Sequence, residues 1–363
     1  MKKQVTIFMI AILTLSTSGH LYGATENKNT LSTLKLNGDL RLRYQTEKKE
    51  SSTNRTRNRI RFRLGGESSI SEKSNIKFGL ATGDDNPRSN NQTLTNSFET
   101  LSFRLNYAFI KHTLSNQTTL FAGKMKNPLW RPSDLIWDSD INPNGVAVTF
   151  NNNASNLNWF ITGGYFVLDE LKSDTNDPYL LAIQPGINWT INNNITAKTA
   201  IGFYVSQHLK GNTLEHSAET NTTDISGLDD EFSSIVISGQ VDLNNQMGLP
   251  LIRPFGEIVI NTNKTNSNKG AIAGIKFGDK KIQGLGDWES KISYRYLGTD
   301  AWFDTFPDSD AYGGATNIEG LELIFNYGLS KTSVLGFDLY SMQNIHGTKD
   351  KQTLLQLDLT VKF

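Results

Sequence analysis

The feature that most constrains how this chain can fold is a two-residue alternation of apolar and polar side chains, repeated along almost its whole length. Successive side chains of a β-strand point to opposite faces, so this period predicts strands with one apolar and one polar face. In the first segment the apolar face carries Leu34, Leu36, Leu40, Leu42 and Tyr44. Three later apolar faces are Ile60, Phe62, Leu64 and Ile70; Leu101, Phe103, Leu105, Tyr107 and Phe109; and Trp288, Ile292, Tyr294 and Tyr296.

The alternation predicts about sixteen strands. They lie near 34–45, 57–70, 76–83, 101–112, 118–125, 145–151, 158–168, 179–190, 195–206, 232–242, 252–260, 270–278, 287–297, 316–327, 333–342 and 352–363. Their connections alternate between short ones, such as 114–117 and 191–194, and long ones, such as 84–100, 126–144, 207–231 and 298–315. Short periplasmic turns and long external loops are typical of a bacterial outer-membrane barrel. We therefore predict an all-β, transmembrane, antiparallel up-and-down β-barrel; a soluble β-sandwich or soluble barrel is the alternative.

The N-terminus has the layout of a secretory signal peptide. Lys2 and Lys3 precede an apolar run over 5–15, and small and polar residues follow up to Ala24. The run is shorter than the ~20 apolar residues that a membrane-spanning helix needs. We expect a signal peptide over 1–24, cleaved near residues 23–24, and one barrel domain over 25–363; a retained anchor is the alternative.

Composition agrees with this prediction without proving it. Hydrophobic residues make up 37% of the chain and the mean hydropathy is −0.40, as in many soluble proteins. A transmembrane strand gives the same values, because only every second side chain faces lipid. Without Lys2 and Lys3, 34 basic residues remain against 36 acidic ones, a net charge of −2. The chain has no polybasic segment, so nucleic acid is not an expected partner.

The last strand ends on an aromatic residue in phase with its apolar face. Leu355, Leu357, Leu359, Val361 and Phe363 share that face. This ending resembles the assembly signal of outer-membrane barrels, so the expected partners are the barrel-assembly machinery and outer-membrane lipid. Aromatic residues near predicted strand ends suit the interfacial girdles of such barrels; they include Tyr44, Tyr107, Trp189 and Tyr327.

Six arginines occupy the polar faces of the first two strands. They are Arg41, Arg43, Arg57, Arg59, Arg61 and Arg63. Facing lipid, each would cost about 2–4 kcal/mol near the bilayer midplane, so we predict that all six face the lumen. A basic ladder lining a solute path is the functional interpretation, and a solvated wall without a role in selectivity is the alternative.

The third long loop, over 126–144, is too apolar for a segment that extends into water. Trp130 and Trp137 predict packing inside the barrel, and Asp134, Asp138 and Asp140 would then carry negative charge into the pore. We expect this infolded loop and the arginines to form the constriction. Oxygen-bearing residues over 140–145 also allow a calcium interpretation, although Asn151 stands where an EF-hand loop has its bidentate Glu.

No motif predicts catalysis. The histidines are scattered, no phosphate-binding loop or G-x-S-x-G elbow occurs, and we expect neither a metal nor a cofactor. Some outer-membrane barrels are hydrolases with paired Ser and His, and His112 or His208 keeps that alternative open. Loops rich in Asn and Thr, such as 261–269, keep a surface adhesin or receptor open.

Several motifs resemble the proteobacterial "putative porin" family. They are the G-D-L-R-L-R-Y run over 38–44, the alternating arginines ending at Gly65, A-T-G over 81–83, and G-K-M-K-N-P from Gly123 followed by D-L-I-W-D-S-D-I-N-P-N-G. The resemblance covers roughly 38–150. It implies an outer-membrane channel and does not imply a substrate. We interpret the chain as a channel through which ions and small hydrophilic solutes diffuse passively, with a solute-specific channel for an anion or organic acid as the alternative. General diffusion porins of this size are usually trimers, so a homotrimer is a further expectation.

Overall fold

The computed structural model describes residues 34–152, 156–172 and 175–363. The predicted signal peptide, residues 1–24, lies outside the described residues. The strands are β1 (Lys35–Lys49), β2 (Arg55–Ser71), β3 (Ser74–Thr82), β4 (Gln92–Thr93), β5 (Phe103–Thr113), β6 (Thr118–Lys124), β7 (Asn144–Asn152), β8 (Leu157–Val167), β9 (Tyr179–Asn192), β10 (Ile195–Gln207), β11 (Ser233–Gln246), β12 (Leu249–Asn261), β13 (Lys269–Gly278), β14 (Trp288–Leu297), β15 (Ile318–Gly328), β16 (Ser333–Asn344) and β17 (Lys351–Lys362). Within these residues, no helix has the length and apolar character needed to cross a membrane.

The strands close into one antiparallel barrel. Strand β1 pairs with both β2 and β17, so the described sheet closes on itself. Strand β4 has only two residues; it lies in the loop between β3 and β5 and pairs with β2, while β3 pairs directly with β5. Without β4, sixteen strands form the ring. The prediction of a closed antiparallel barrel of sixteen strands is confirmed.

The predicted strands match the observed ones closely. The reason is that strands with one face toward lipid need an apolar side chain at every second position, and the prediction used this period. The first strand, predicted near 34–45, runs over Lys35–Lys49, and the last, predicted near 352–363, runs over Lys351–Lys362. Their apolar faces point outward. Leu36, Leu42 and Ile183 expose 57%, 46% and 51% of their surfaces. A continuous exterior of exposed aliphatic side chains is stable in lipid and would be unfavourable in water.

The predicted face of β5 is wrong beyond Leu105. Asn106 has no partner in β3, because the register between the two strands shifts there. One extra residue in a strand turns all later side chains to the other face. Tyr107 and Phe109 therefore point inward: Phe109 is buried, and Nζ of Lys126 lies 4.3 Å from the centre of the Tyr107 ring. Tyr107 does not belong to an interfacial girdle.

The C-terminal residue closes the seam between β1 and β17. Gly38 donates its N–H to the carbonyl of Phe363 at 2.9 Å, and Phe363 donates its N–H to the carbonyl of Gly38 at 3.1 Å. A Cβ on Gly38 would lie 2.4 Å from the Phe363 ring, so only glycine lets the ring lie against β1. The ring also stacks on Phe62, with the centroids 6.0 Å apart.

Deleting Phe363 should reduce the amount of assembled barrel, because it removes the ring contact and two hydrogen bonds from the strand pair that closes the ring. We expect a smaller heat-modifiable fraction on gels of outer-membrane preparations. Phe363→Trp keeps an aromatic ring and serves as the matched control. Full assembly of the shortened chain would contradict a role for Phe363 in assembly.

Candidate functional site

The inner wall of the barrel has two unlike sectors. On β8 to β14 many inward positions are apolar and buried, among them Phe166, Leu180, Ala182, Tyr204, Val259 and Ile272. On β1 and β2 the inward positions carry the six arginines. The apolar sector offers a surface on which loops can pack, whereas the arginine sector needs water or acidic partners.

The loop over 125–143 packs on the apolar sector. Leu135, Ile136 and Trp137 are buried and belong to one cluster with Tyr204 and Phe166 of the wall. These residues therefore shield apolar side chains that would otherwise face the interior of the barrel. The packing follows from the apolar loop sequence through the hydrophobic effect.

Polar contacts fix the same loop to the wall. The Gln184 side chain accepts the N–H of Trp130 and donates to its carbonyl, both at 2.8 Å. Ser133 donates to the buried carboxylate of Glu257 at 3.0 Å. The Lys198 ammonium lies 4.7 Å from the centre of the Trp130 ring, a cation–π contact. Both loop tryptophans thus contact the barrel: Trp137 packs in the buried cluster, and Trp130 contacts Gln184 and Lys198.

The arginines stack across β1 and β2. Arg41 lies opposite Arg61 and Arg43 lies opposite Arg59 in the antiparallel register. Arg43 is almost completely buried and donates to both carboxylate oxygens of Asp358 at 2.7 Å. This bidentate pair offsets the cost of burying a guanidinium.

The other arginines divide by partner. Arg41 lies 3.3 Å from Asp358, and Arg57 lies 3.3 Å from Glu47. Arg61 and Arg63 share Asp39, each at 2.8 Å. Among the described residues, Arg59 forms no ion pair and hydrogen-bonds to Gln45 and to the loop over 83–102. The repulsion within the ladder is therefore reduced mainly by wall carboxylates on or beside it.

The three loop aspartates have different surroundings. Asp134 lies 2.7 Å from Arg295 on β14, which β15, β16 and β17 separate from β1 and the arginine ladder. Asp138 is buried and accepts the N–H groups of Asp140 and Ser309; burial and the nearby Asp140 raise the pKa of Asp138 to about 8. Asp140 lies 3.4 Å from Arg63. Only Asp140 therefore contacts the ladder.

A second loop, over 298–317, forms contacts that the alternation and the arginine pattern do not predict. Trp302 and Phe303 are fully buried, and the Trp137 ring stacks on Phe306 with the centroids 4.8 Å apart. Asp310 lies 3.2 Å from Arg43. The available signal was the apolar run Ala301-Trp302-Phe303 inside a long loop, which has the same character as the tryptophans of the loop over 125–143.

One acidic cluster has the spacing of metal ligands but is already compensated. Asp134, Asp308 and Glu322 offer oxygens within 4.8 Å of one another. Arg295 donates to these three carboxylates at 2.7, 3.3 and 3.2 Å, and Lys291 lies 2.6 Å from Glu322. The two cations offset most of the acidic charge, so the cluster is an ion-pair network between loop and wall.

The residues of the calcium interpretation are likewise engaged within the chain. Asp140 pairs with Arg63 and accepts the N–H of Asn90. The Lys124 ammonium donates to the backbone carbonyl of Asn142 at 3.2 Å and to the side-chain oxygen of Asn144 at 3.3 Å. Asn144 and Gly145 already belong to β7. This arrangement favours a packed turn over a cation loop.

One serine–histidine pair bears on the hydrolase alternative. Ser74 Oγ lies 2.8 Å from Nδ1 of His112, where β3 begins and β5 ends. In the part of the chain that the structure describes, no carboxylate forms a hydrogen bond or ion pair with His112. Activation of a serine usually requires a third group that orients the base. The pair has the geometry of a side-chain hydrogen bond between neighbouring strands.

Several known structures share this fold, among them one described as an outer-membrane channel. OprB of Pseudomonas putida, in its high-pH structure, superposes with a TM-score of 0.61 at 10% identity, over 94% of this chain and 97% of that one. DcaP of Acinetobacter baumannii gives 0.54 at 12% identity, over 94% and 100%. OmpF of Salmonella typhi, in complex with daunomycin, gives 0.54 at 13% identity, over 91% and 97%. At these identities the similarity establishes the fold alone.

Family membership is established by comparison of the sequence. A search of curated protein sequences finds no significant match. The model of a family described as "putative porin" matches residues 48–248 and 214–363, two overlapping segments that reach the C-terminus. Because these segments cover most of the chain, the protein belongs to the "putative porin" family of outer-membrane channels.

Proposed function

We propose that this outer-membrane channel is water-filled and passes ions and small hydrophilic solutes by passive diffusion. The observation that carries the proposal is the ladder of six arginines on the inner face of a barrel whose outer face is apolar. Charged groups at this depth are stable only beside water or acidic partners. An inner wall with these charges favours the passage of polar solutes and disfavours the passage of apolar ones.

The narrowest part of the path lies, on this proposal, between the arginine ladder and the loop over 125–143. The loop packs on the opposite sector of the wall, and its Asp140 reaches Arg63. Arg63 keeps 33% of its side chain exposed, so it can also meet a passing solute. Opposite charges on two sides of a narrow path create a transverse field that orders water and dipolar solutes.

A solute-specific channel for an anion or organic acid is the second candidate. Arg59 favours it, because this arginine has no carboxylate partner among the described residues and holds only neutral oxygens. An anion could bind such a guanidinium with charge-assisted hydrogen bonds.

Three further parts of the proposal concern assembly and location. Cleavage of the signal peptide near residues 23–24 would release the chain to the periplasm. The barrel-assembly machinery would then recognise the strand that ends at Phe363, and the exposed aliphatic exterior would contact outer-membrane lipid. A homotrimer is proposed from the resemblance to general diffusion porins.

Swelling of proteoliposomes distinguishes the two transport candidates. Purified barrel in vesicles should admit small sugars, zwitterionic amino acids and small organic acids at rates that fall smoothly with solute size. Heat-denatured protein in the same vesicles is the control. Swelling with one class of anion alone would overturn general diffusion in favour of the specific channel, and no swelling with any solute would contradict both.

A further inference from the structure

The first part of the loop over 298–317 is buried in the interior of the protein. Trp302 and Phe303 have no exposed surface, and the Trp302 ring meets the ring of Tyr204 on β10 edge to face, with the centroids 5.0 Å apart. The carbonyl of Phe306 accepts the N–H of Asp138 at 2.7 Å. This loop therefore packs on both the wall and the loop over 125–143.

The loop over 208–232, between β10 and β11, also holds the loop over 298–317 in place. The Asp304 carboxylate accepts the N–H groups of Thr220 and Asn221 at 2.7 and 3.0 Å and the Ser217 hydroxyl at 2.8 Å. Asp300 likewise accepts the N–H of Thr222 at 2.8 Å. Carboxylates satisfied by several donors fix backbone position strongly, so the segment is held in one place.

The part of this loop around Asp310 reaches the arginine ladder. Asp310 Oδ2 lies 3.2 Å from Arg43, and Asp310 Oδ1 accepts the amide of Gln356 at 2.8 Å. The loop leaves the sheet between β14 and β15, whereas Arg43 and Gln356 lie on β1 and β17. Asp310 therefore connects two parts of the wall that are separated by β15 and β16.

We propose that Asp310 is a selectivity-determining carboxylate and that the loop over 298–317 is a second element of the constriction. The inference rests on the proposed channel function and adds a residue to it. Asp310 keeps 25% of its side chain exposed while Arg43 keeps 2%, so the carboxylate is the member of the pair that a permeating ion meets.

The groups around it distinguish Asp310 from two of the loop aspartates considered first. Asp134 is engaged by Arg295 on the far sector, and Asp138 is enclosed by backbone N–H groups. Although burial opposes it, Arg43 and Arg41 hold the pKa of Asp310 below its ordinary value. Asp310 is therefore ionised at neutral pH and supplies negative charge directly beside the ladder.

Neutralising Asp310 tests the proposal. Asp310→Asn should shift the permeability ratio of the open channel toward anions by about two- to fivefold, the range expected for one partly screened charge. The measurement is the reversal potential under a KCl gradient. Arg43 retains its bidentate pair with Asp358, so the variant should assemble, and heat-modifiable migration verifies this.

Matched variants separate charge from packing. Asp310→Glu should keep the selectivity of the wild type. Asp224→Asn, which removes the same charge from an exposed loop position, should leave the reversal potential unchanged. An unchanged potential in Asp310→Asn would overturn the proposal. If the arginine variants described in the Discussion still shift selectivity, the arginine constriction survives that failure.

Thiol labelling gives an independent measurement, because the chain has no cysteine. In Asp310→Cys, a negatively charged methanethiosulfonate should restore the preference of the wild type, and a positively charged one should move the potential further toward anions. Equal effects of the two reagents, or no reaction from either side of the membrane, would contradict a position of residue 310 beside the ion path.

Discussion

Replacing Arg59 and Arg61 by glutamate is expected to turn the selectivity of the channel toward cations by about tenfold or more. The double variant changes the local charge by four units, and each unit contributes a few tenths to 1 kcal/mol when partly screened. Both residues lie in the ladder, where Arg61 pairs with Asp39. Screening acts over about 8 Å at physiological salt, so the shift should grow as salt is lowered.

The matched control is Lys280→Glu with Lys281→Glu. These exposed lysines lie in the connection between β13 and β14, away from the ladder, and carry the same charge change. The control should leave the reversal potential near that of the wild type. If the arginine variant assembles normally and its potential does not move, the ladder has a structural role alone.

Neutralising the loop aspartates should shift ion selectivity in the opposite direction, and for Asp138 the shift should depend on pH. Asp140→Asn should move selectivity toward anions by about two- to fivefold, since Asp140 pairs with Arg63. Asp138→Asn should have little effect at pH 7, because a pKa of about 8 leaves that carboxyl mostly protonated. Above about pH 8 the Asp138 carboxyl of the wild type ionises. Only in that range should the ion selectivity of Asp138→Asn differ from that of the wild type. Divergence below pH 6 would contradict this assignment.

Removing residues 128–142 and joining the flanks with a short Gly-Ser linker should raise single-channel conductance roughly twofold or more, because a sixteen-stranded barrel without an internal loop leaves a wide aqueous channel. The deletion also exposes apolar wall residues such as Tyr204, so assembly must be verified by heat-modifiable migration. Gln184→Ala with Ser133→Ala is the gentler variant: it removes the hydrogen bonds that the Gln184 and Ser133 side chains form between loop and wall, and it keeps the length of the loop. Unchanged conductance after the deletion would place the loop outside the path.

The fold was predictable because lipid and lumen impose a period of two on every strand. That period predicts Leu42 outward and Arg43 inward without any knowledge of tertiary contacts. It fails at Asn106, where one residue without a partner reverses the direction of Tyr107. A bulge changes no side-chain property, and the sequence alone therefore did not reveal it.

The site was only partly predictable because its contacts join distant parts of the chain. The alternating arginines predict a basic ladder, since cross-strand neighbours follow from one hairpin. The pairing of Arg43 with Asp310 depends on how a long loop packs, and the two residues are separated by 267 positions. For the same reason Asp134, predicted to face the ladder, instead meets Arg295.

Current through planar bilayers tests the central claim most directly. Purified, heat-modifiable barrel added to one side should produce discrete, stable steps in conductance, and heat-denatured protein should produce none. Under a KCl gradient the same channels should show a reversal potential that shifts in opposite directions in the arginine and Asp310 variants. A correctly assembled barrel that carries no current at any voltage tested would contradict the account of this protein as a channel.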